Sequence, residues 1–387
     1  MKGGPLQITQ LNIADDMIDL GVGQPDPHLL PLDIMRQATE QQFSRPSREP
    51  LQYGTEQGNG FFRAELAQFL AAGYGVGVDP DHLMITAGAT HGLDLICTYF
   101  AAPGDTIFVE EPSYFLALRI FKDRHLNMVA IPTDRNGAVI AALEKRLSAN
   151  QPAFFYTIPT FHNPSGATMT LERRKHLLAL SREHGFKIVA DEVYQLLSYG
   201  HNPPPPLATL DSDGCVLGLG SFSKILAPGL RLGWIQSHPD LLARITGGGL
   251  LQSSGGMNPF TSALVQRVIE TGLQAQYLER LKSIYQKRAV DLARALRTHL
   301  PPGGHFEEPP GGFFIWLRLP AALDSRSLRG EAMRARVNFQ PGANFSVNRQ
   351  LGNRLRLCFV FYDSMRLEEG ARRLGSVLSK YSGNHIE

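Results

Sequence analysis

The sequence has almost no excess of charge of either sign: 38 Lys and Arg stand against 36 Asp and Glu, a formal net charge of +2 over 387 residues. No run of Lys or Arg is long enough to track a phosphate backbone, so nucleic acid is not an expected partner and neither is an anionic membrane surface. Cysteine is scarce too. Cys97, Cys215 and Cys358 are widely spaced and each lies inside an apolar stretch, which excludes a disulfide framework and a metal knuckle and points to a reducing compartment. The first residues, Met1 to Gln7, lack the apolar core of a signal peptide. No window approaches the roughly 18 consecutive apolar residues that cross a bilayer. The expectation is a cytoplasmic protein with no membrane association and no metal. Internal repeats and low-complexity tracts are absent as well.

What is present is the composition of an ordinary globular protein, 43% hydrophobic and 19% charged. At about 150 residues per domain the length makes two or three domains. Between residues 82 and 237, short apolar β-branched runs alternate with helical patterns, the rhythm of βα units feeding a largely parallel sheet, hence an α/β fold. The runs are His82 to Gly88, Thr106 to Glu111, Ala153 to Pro159, Lys187 to Glu192, Gly214 to Gly220 and Arg231 to Ser237. One helix carries both its stop and start signals: Thr170 with an acidic first turn begins it, and Gly185 ends it after Arg182-Glu183-His184. Leu264, Val268, Leu273, Leu278, Leu281 and Ile284 recur at helical spacing and predict one long helix over 261–299. Beyond it, Phe313 to Leu319 and Arg354 to Phe361 read as strands, and Ser327 to Arg336 and Arg366 to Lys380 as helices, a smaller α+β unit.

Five segments carry residues suited to chemistry. Gly220-Ser221-Phe222-Ser223-Lys224 follows a strand-like run, with Arg231 seven residues beyond the lysine. A partly desolvated Lys224 can form a Schiff base with an aldehyde, and the hydroxyls and guanidinium can hold a phosphate; the alternative is a loop lysine reaching for solvent. Asp191 ends the apolar run Phe186 to Ala190, where a parallel sheet presents its ligand-facing rim; the alternative is a cap for a following helix. Asn163, in Pro159-Thr160-Phe161-His162-Asn163-Pro164-Ser165-Gly166, offers an amide to a phenolate-like oxygen, or is simply part of a turn. Gly88-Ala89-Thr90 leads a strand into a helix whose free N–H groups suit an anion. Tyr114, after Glu110-Glu111-Pro112-Ser113, offers a face for a flat ring, or is a core aromatic. All five fall at the carboxyl ends of expected strands, and therefore on one rim of the sheet. Together they are what a phosphorylated pyridine aldehyde needs. A dinucleotide site does not fit, because Gly21-Val22-Gly23-Gln24-Pro25-Asp26 lacks the third glycine and a clear preceding strand.

With these motifs the sequence resembles the fold-type-I, pyridoxal-phosphate-dependent aminotransferases of class I/II, in the branch holding α-aminoadipate, kynurenine and aromatic aminotransferases and the effector domains of MocR-type regulators. The likeness runs from Gly23-Gln24-Pro25-Asp26-Pro27 to Leu355-Arg356-Leu357-Cys358-Phe359. It implies a mostly parallel central sheet with helices on both faces plus a smaller α+β domain. The implied division is 1–47 as an N-terminal segment joining the small domain, 48–275 as the large cofactor-binding domain and 276–387 as the small one. It implies pyridoxal 5'-phosphate as cofactor and an amino acid and a 2-oxo acid as substrates.

Residue by residue, the resemblance makes Lys224 the covalent attachment point and proton shuttle, and Asp191 the partner of the pyridine nitrogen. Asn163 and Tyr194 would bond the ring's phenolic oxygen and Tyr114 would stack on the ring. Gly88, Ala89, Thr90, Ser221, Ser223 and Arg231 would surround the phosphate. Leu51-Gln52-Tyr53-Gly54 resembles the segment that reaches across a homodimer with shared active sites, Tyr53 touching the neighbour's phosphate. Gly23, Asn163 and Arg356 would receive the substrate, the arginine forking onto its carboxylate, with Arg354 as competing assignment. Two positions depart from the branch: Ala89 stands where serine is frequent, which removes one hydroxyl, and Val193 stands where proline often precedes the tyrosine. The expected activity is transamination; another pyridoxal-phosphate reaction (lyase, synthase or oxidase) and a catalytically weak sensing module are the competitors. No space for a DNA-reading winged helix is apparent, which counts against the sensor.

Overall fold

The computed structural model describes residues 9–382. A two-residue strand, β1 (Ile18–Asp19), comes first. Eight strands form the main sheet: β2 (Leu83–Thr86), β3 (Thr106–Glu111), β4 (Asn127–Asp134), β5 (Gly137–Ala138), β6 (Phe154–Thr157), β7 (Lys187–Asp191), β8 (Val216–Ser221) and β9 (Gly233–Ser237). Their order is β2-β9-β8-β7-β6-β3-β4-β5. The stretch β8-β7-β6-β3-β4 is parallel, whereas β9 runs antiparallel between β8 and β2. This is the expected mostly parallel α/β sheet.

The period-2 geometry of a strand divides its side chains between two faces, and here both faces are dry. Phe154 and Tyr156 of β6 join one core with Ile107, Val109, Val189 and Leu217; Phe155 joins the other with Phe108, Ile188, Ala190 and Val216. Near-continuous apolar runs are what a sheet covered on both sides requires. β4 departs from that burial rule: at the margin of the sheet its apolar run Met128 to Ile131 is mostly part-exposed.

Thr170 caps the helix Leu171–His184 by accepting from the Arg173 N–H at 3.3 Å, and Gly185 ends it at φ +74°. The single helix expected over 261–299 is two. Gly272 at φ +74° separates Pro259–Glu270 from Leu273–His299, because its left-handed conformation cannot continue a right-handed helix. The apolar spacing that runs through the break comes from both helices facing the same core.

β10 (Phe314–Arg318), β12 (Gln340–Pro341) and β13 (Arg354–Cys358) make a small antiparallel sheet, while β11 (Val337–Asn338) pairs in parallel with β1. The N-terminal segment is thereby tied to the C-terminal unit. The helix Ser364–Ser382 packs along Leu273–His299 and completes that unit. Among the described residues no helix is long and apolar enough to cross a membrane.

Candidate active site

Strand polarity decides what meets at the rim. The parallel strands β3, β6, β7 and β8 end there, and β2 also ends there because two antiparallel pairings restore its direction. β9 begins there, with Gly233 opposite both Thr86 and Ser221. Segments far apart in sequence, those following Thr86 and Ser221 and the one preceding Gly233, are thus neighbours.

Lys224 lies in the turns after β8, partly buried, and its Nζ donates to the Gly23 carbonyl at 2.9 Å. The Phe313 ring centroid is 5.3 Å from the same nitrogen. Burial pushes the amine down to about 8; Arg356 and Arg231 push the same way, while Cys358 and Asp191 oppose. A neutral amine is therefore accessible near neutrality, which a nucleophilic lysine needs.

Asp191 is the last residue of β7 and 8% exposed. No helix follows it directly, only turns, so the helix-cap alternative fails. Its Oδ2 accepts from the Tyr156 hydroxyl at 2.7 Å. Its Oδ1 is buried without a partner. Burial raises the carboxyl above its ordinary range, against lowering by the Tyr156 hydroxyl, the Val193 N–H, Lys224 and His162.

Arg356, on β13, is 2% exposed. One Nη donates to Asn163 Oδ1 at 2.9 Å and the other to the Gly21 carbonyl at 2.8 Å, while Nε has no partner. The guanidinium lies 4.0 Å from the Phe314 ring centroid. A Cβ on Gly23 would come within 3.3 Å of it. Arg354 faces Arg318 across the sheet register and is partly exposed; Arg356 is the one that reaches Gly21 and Asn163. Tyr194, 4% exposed, packs on Phe313 at 5.4 Å between ring centroids, and burial first and then Tyr114 raise its hydroxyl well above the ordinary range. Tyr114 precedes the helix Phe115–Asp123, and burial followed by Asp191 pushes it up to about 12. Both phenols are protonated donors at neutral pH.

The helix Ala89–Phe100 opens at Gly88, φ +90°, with no side chain capping its first N–H groups. A Cβ on Gly88 would sit 2.8 Å from Arg231 Nη2. Arg231, itself at φ +47°, donates to the Ala87 carbonyl at 3.1 Å and to Ser223 Oγ at 3.5 Å, and Ser221 Oγ accepts the Ser223 N–H at 3.1 Å. Ala89 is partly buried and Thr90 exposed. Tyr53 stands apart from this group, 88% exposed. Its neighbour Gly54 bridges Gly256, close in sequence to Asn258, whose amide donates to the Arg231 carbonyl.

Two features escape a reading of motifs. Tyr156 sits inside a run legible only as an apolar strand; the available signal is that a buried phenol needs an acceptor. His162 Nε2 lies 3.2 Å from Glu110 Oε2, both buried, beneath the Asn163 loop. Glu110 also accepts from Thr157 Oγ1 and the Ile158 N–H, each at 2.8 Å. Their pairing follows from β3 and β6 being adjacent, which no local motif encodes.

A part-desolvated lysine, a buried carboxylate with one oxygen unpartnered and an open helix N-terminus, all on the rim of a mostly parallel sheet, define a fold-type-I enzyme. The comparisons with known proteins agree. The family "Aminotransferase class I and II" matches residues 15–374. An aromatic-amino-acid aminotransferase of Thermococcus litoralis is 33% identical over 381 residues, 97% of this chain and 91% of its own. The crystal structure of a Pyrococcus horikoshii kynurenine aminotransferase superposes with TM-score 0.89 at 34% identity, covering 95% of this chain and 92% of that one. An α-aminoadipate aminotransferase from Thermus thermophilus, complexed with N-(5'-phosphopyridoxyl)-L-leucine, gives TM-score 0.87 at 30% identity over 96% and 94% of the two chains. The chain belongs to the class I and II aminotransferases, a pyridoxal-phosphate-dependent family, and is an enzyme that acts on amino acids and 2-oxo acids.

Proposed function

We propose that this chain moves the amino group of an L-amino acid, aromatic, aminoadipate-like or related, to a 2-oxo acid, with pyridoxal 5'-phosphate attached at Lys224. The observation that carries the reading is the buried Asp191 Oδ1 with no partner: it is an acceptor placed where a protonated pyridine nitrogen would complete it, beside an amine held at about 8. The phosphate would lie on Gly88, Ala89 and Thr90 at the open helix end, with Arg231, Ser221 and Ser223 around it. Asn163 and Tyr194 would bond the phenolic oxygen, and Tyr114 would cover the ring face. When bound, the protonated ring supplies an electron sink for the pair left on the substrate's Cα after its proton departs.

The remaining work falls to side chains. Arg356 holds the substrate carboxylate through donors not already given to Gly21 and Asn163, with Gly23 alongside. Lys224 Nζ, once its amine is free, would accept the proton that leaves the substrate's Cα and hold it for return. Phe313, beside the amine and packed on Tyr194, would help to keep water from competing for that proton.

We place the enzyme in the cytoplasm, since Cys97, Cys215 and Cys358 are free and buried. We also propose a homodimer with shared sites. Leu32, Phe43, Leu51, Tyr53 and Phe61 are 81%, 62%, 72%, 88% and 77% exposed, and these apolar side chains, all within residues 32–61, would be covered by a second copy. Residues 48–275 would form the cofactor-binding domain, and 276–387 with the N-terminal 1–47 the smaller one.

The test is borohydride reduction of the cofactor-loaded protein followed by peptide mapping, with a panel of amino donors watched by the change in cofactor absorption. A label on Lys224 and a keto acid product support the reading; a label elsewhere refutes the attachment, and a different product refutes transamination. Lys224→Ala is expected to fold and to lose turnover.

A further inference from the structure

Asp191 has two oxygens, and the fold treats them differently. Oδ2 is taken by the hydroxyl of Tyr156 at 2.7 Å; Oδ1 is left bare. Tyr156 lies on β6 next to β7 with register Tyr156↔Val189, so its hydroxyl reaches the carboxylate from the neighbouring strand. It is fully buried, and its ring meets Phe121 edge-on at 5.2 Å, leaving the phenol no freedom to turn away. We propose that Tyr156 is a positioning residue for the cofactor: it selects which oxygen of Asp191 faces the pyridine nitrogen and stabilises that carboxylate in its charged form. The proposal rests on the pyridoxal-phosphate reading of the site.

The chemistry permits only one polarity for this bond. Burial, then Asp191 itself, holds the Tyr156 phenol far above its ordinary range, so it donates and the carboxylate accepts. A donor to the charged form is what offsets the burial that pushes Asp191 upward, and Tyr156 heads the lowering influences. The other groups that act on the carboxylate are Lys224, His162 and the Val193 N–H, which favour the charged form. Glu192, Tyr114 and Tyr194 share its field. Among the described residues the phenol is the side chain hydrogen-bonded to Oδ2, so its loss leaves the carboxylate with only the Val193 N–H and the charges of Lys224 and His162 to favour its charged form. A carboxylate without that bond can also rotate, so that neither oxygen is held toward the ring.

Tyr156→Phe removes one oxygen and keeps the ring against Phe121. The measurement is the affinity of apoprotein for pyridoxal 5'-phosphate as a function of pH, for wild type, Tyr156→Phe, Asp191→Asn and the double variant, with melting temperatures to register folding. The expected result is a roughly tenfold or greater loss of affinity in Tyr156→Phe, the scale of a charge-assisted hydrogen bond. The acid-side fall in affinity should move to higher pH, because Asp191 protonates sooner. In the Asp191→Asn background, Tyr156→Phe should add little, since its effect passes through the carboxylate. An affinity curve superimposable on wild type, or equal losses with and without Asp191, overturns the role of Tyr156. Wild type without affinity for the cofactor overturns the reading of the site, and this proposal with it.

Discussion

Replacing Arg356 with lysine tests the substrate-binding role proposed for that arginine. A guanidinium has five N–H donors; here two are committed to Asn163 Oδ1 and the Gly21 carbonyl, and Nε is bare. Lysine keeps the charge but offers a single nitrogen, so it cannot hold Asn163 and Gly21 and still present two parallel donors to a carboxylate. Losing one arm of that fork removes a charge-assisted hydrogen bond worth about 1.5–3 kcal/mol. The expected outcome is a rise in KM for the amino donor of about 10- to 100-fold with a smaller change in kcat, because the contact is made before and during the reaction alike. Steady-state kinetics with one donor and saturating acceptor measure it. Arg354→Lys serves as control; that side chain is partly exposed opposite Arg318, and its KM should move less than about twofold. A larger effect at Arg354 than at Arg356 would refute the assignment.

With its amine pushed down to about 8 by burial, Lys224 should capture pyridoxal 5'-phosphate at a rate that climbs with pH to about 8 and then levels, as rapid-mixing absorbance would record. Between that value and the roughly 10.4 of a free lysine the unfolded chain binds more protons, so the apoprotein should gain stability as pH rises through that window, and Lys224→Met should lose the gain in denaturant titrations. Asp191→Asn should leave the apoprotein's melting temperature unchanged or higher, since a carboxyl raised by burial is replaced by a neutral amide, while kcat falls about 100-fold or more. Gly220→Ala would drive a Cβ into the indole ring of Trp234, and a lower denaturation midpoint, equivalent to about 1–3 kcal/mol, should follow. Tyr53→Ala, at a side chain 88% exposed, should not change the folding stability of the chain but should weaken cofactor binding in a dimer, measured by fluorescence titration beside gel filtration.

Much of the central sheet was legible because buried parallel strands are unusually uniform in composition. Thr106–Glu111 matches its expected bounds, and the other expected runs differ by only a few residues at either end. β4 is missing from the expected runs although Met128 to Ile131 is apolar; the run is short, is cut off by Pro132, and lies half-exposed at the margin of the sheet. The break at Gly272 was hidden for the opposite reason: two helices facing one core keep a common apolar spacing across it. The rim residues could be singled out because each follows a strand of recognisable character. Their partners, Tyr156 for Asp191 and Glu110 for His162, belong to neighbouring strands, and strand order is not a local property of sequence.

Local chemistry alone thus determined the candidates: which residues are nucleophilic, which are charged and which follow most of the central strands. Only tertiary structure decided their circumstances. It brought β13 and the segment Gly21–Gly23 against Lys224 and Asn163, so that Arg356, and not Arg354, is the arginine that reaches Gly21 and Asn163. It also left one oxygen of Asp191 bonded and the other bare. The physical reason is that burial and hydrogen-bond partnership arise between segments distant in the chain, and they set whether a lysine is a nucleophile or a solvated cation.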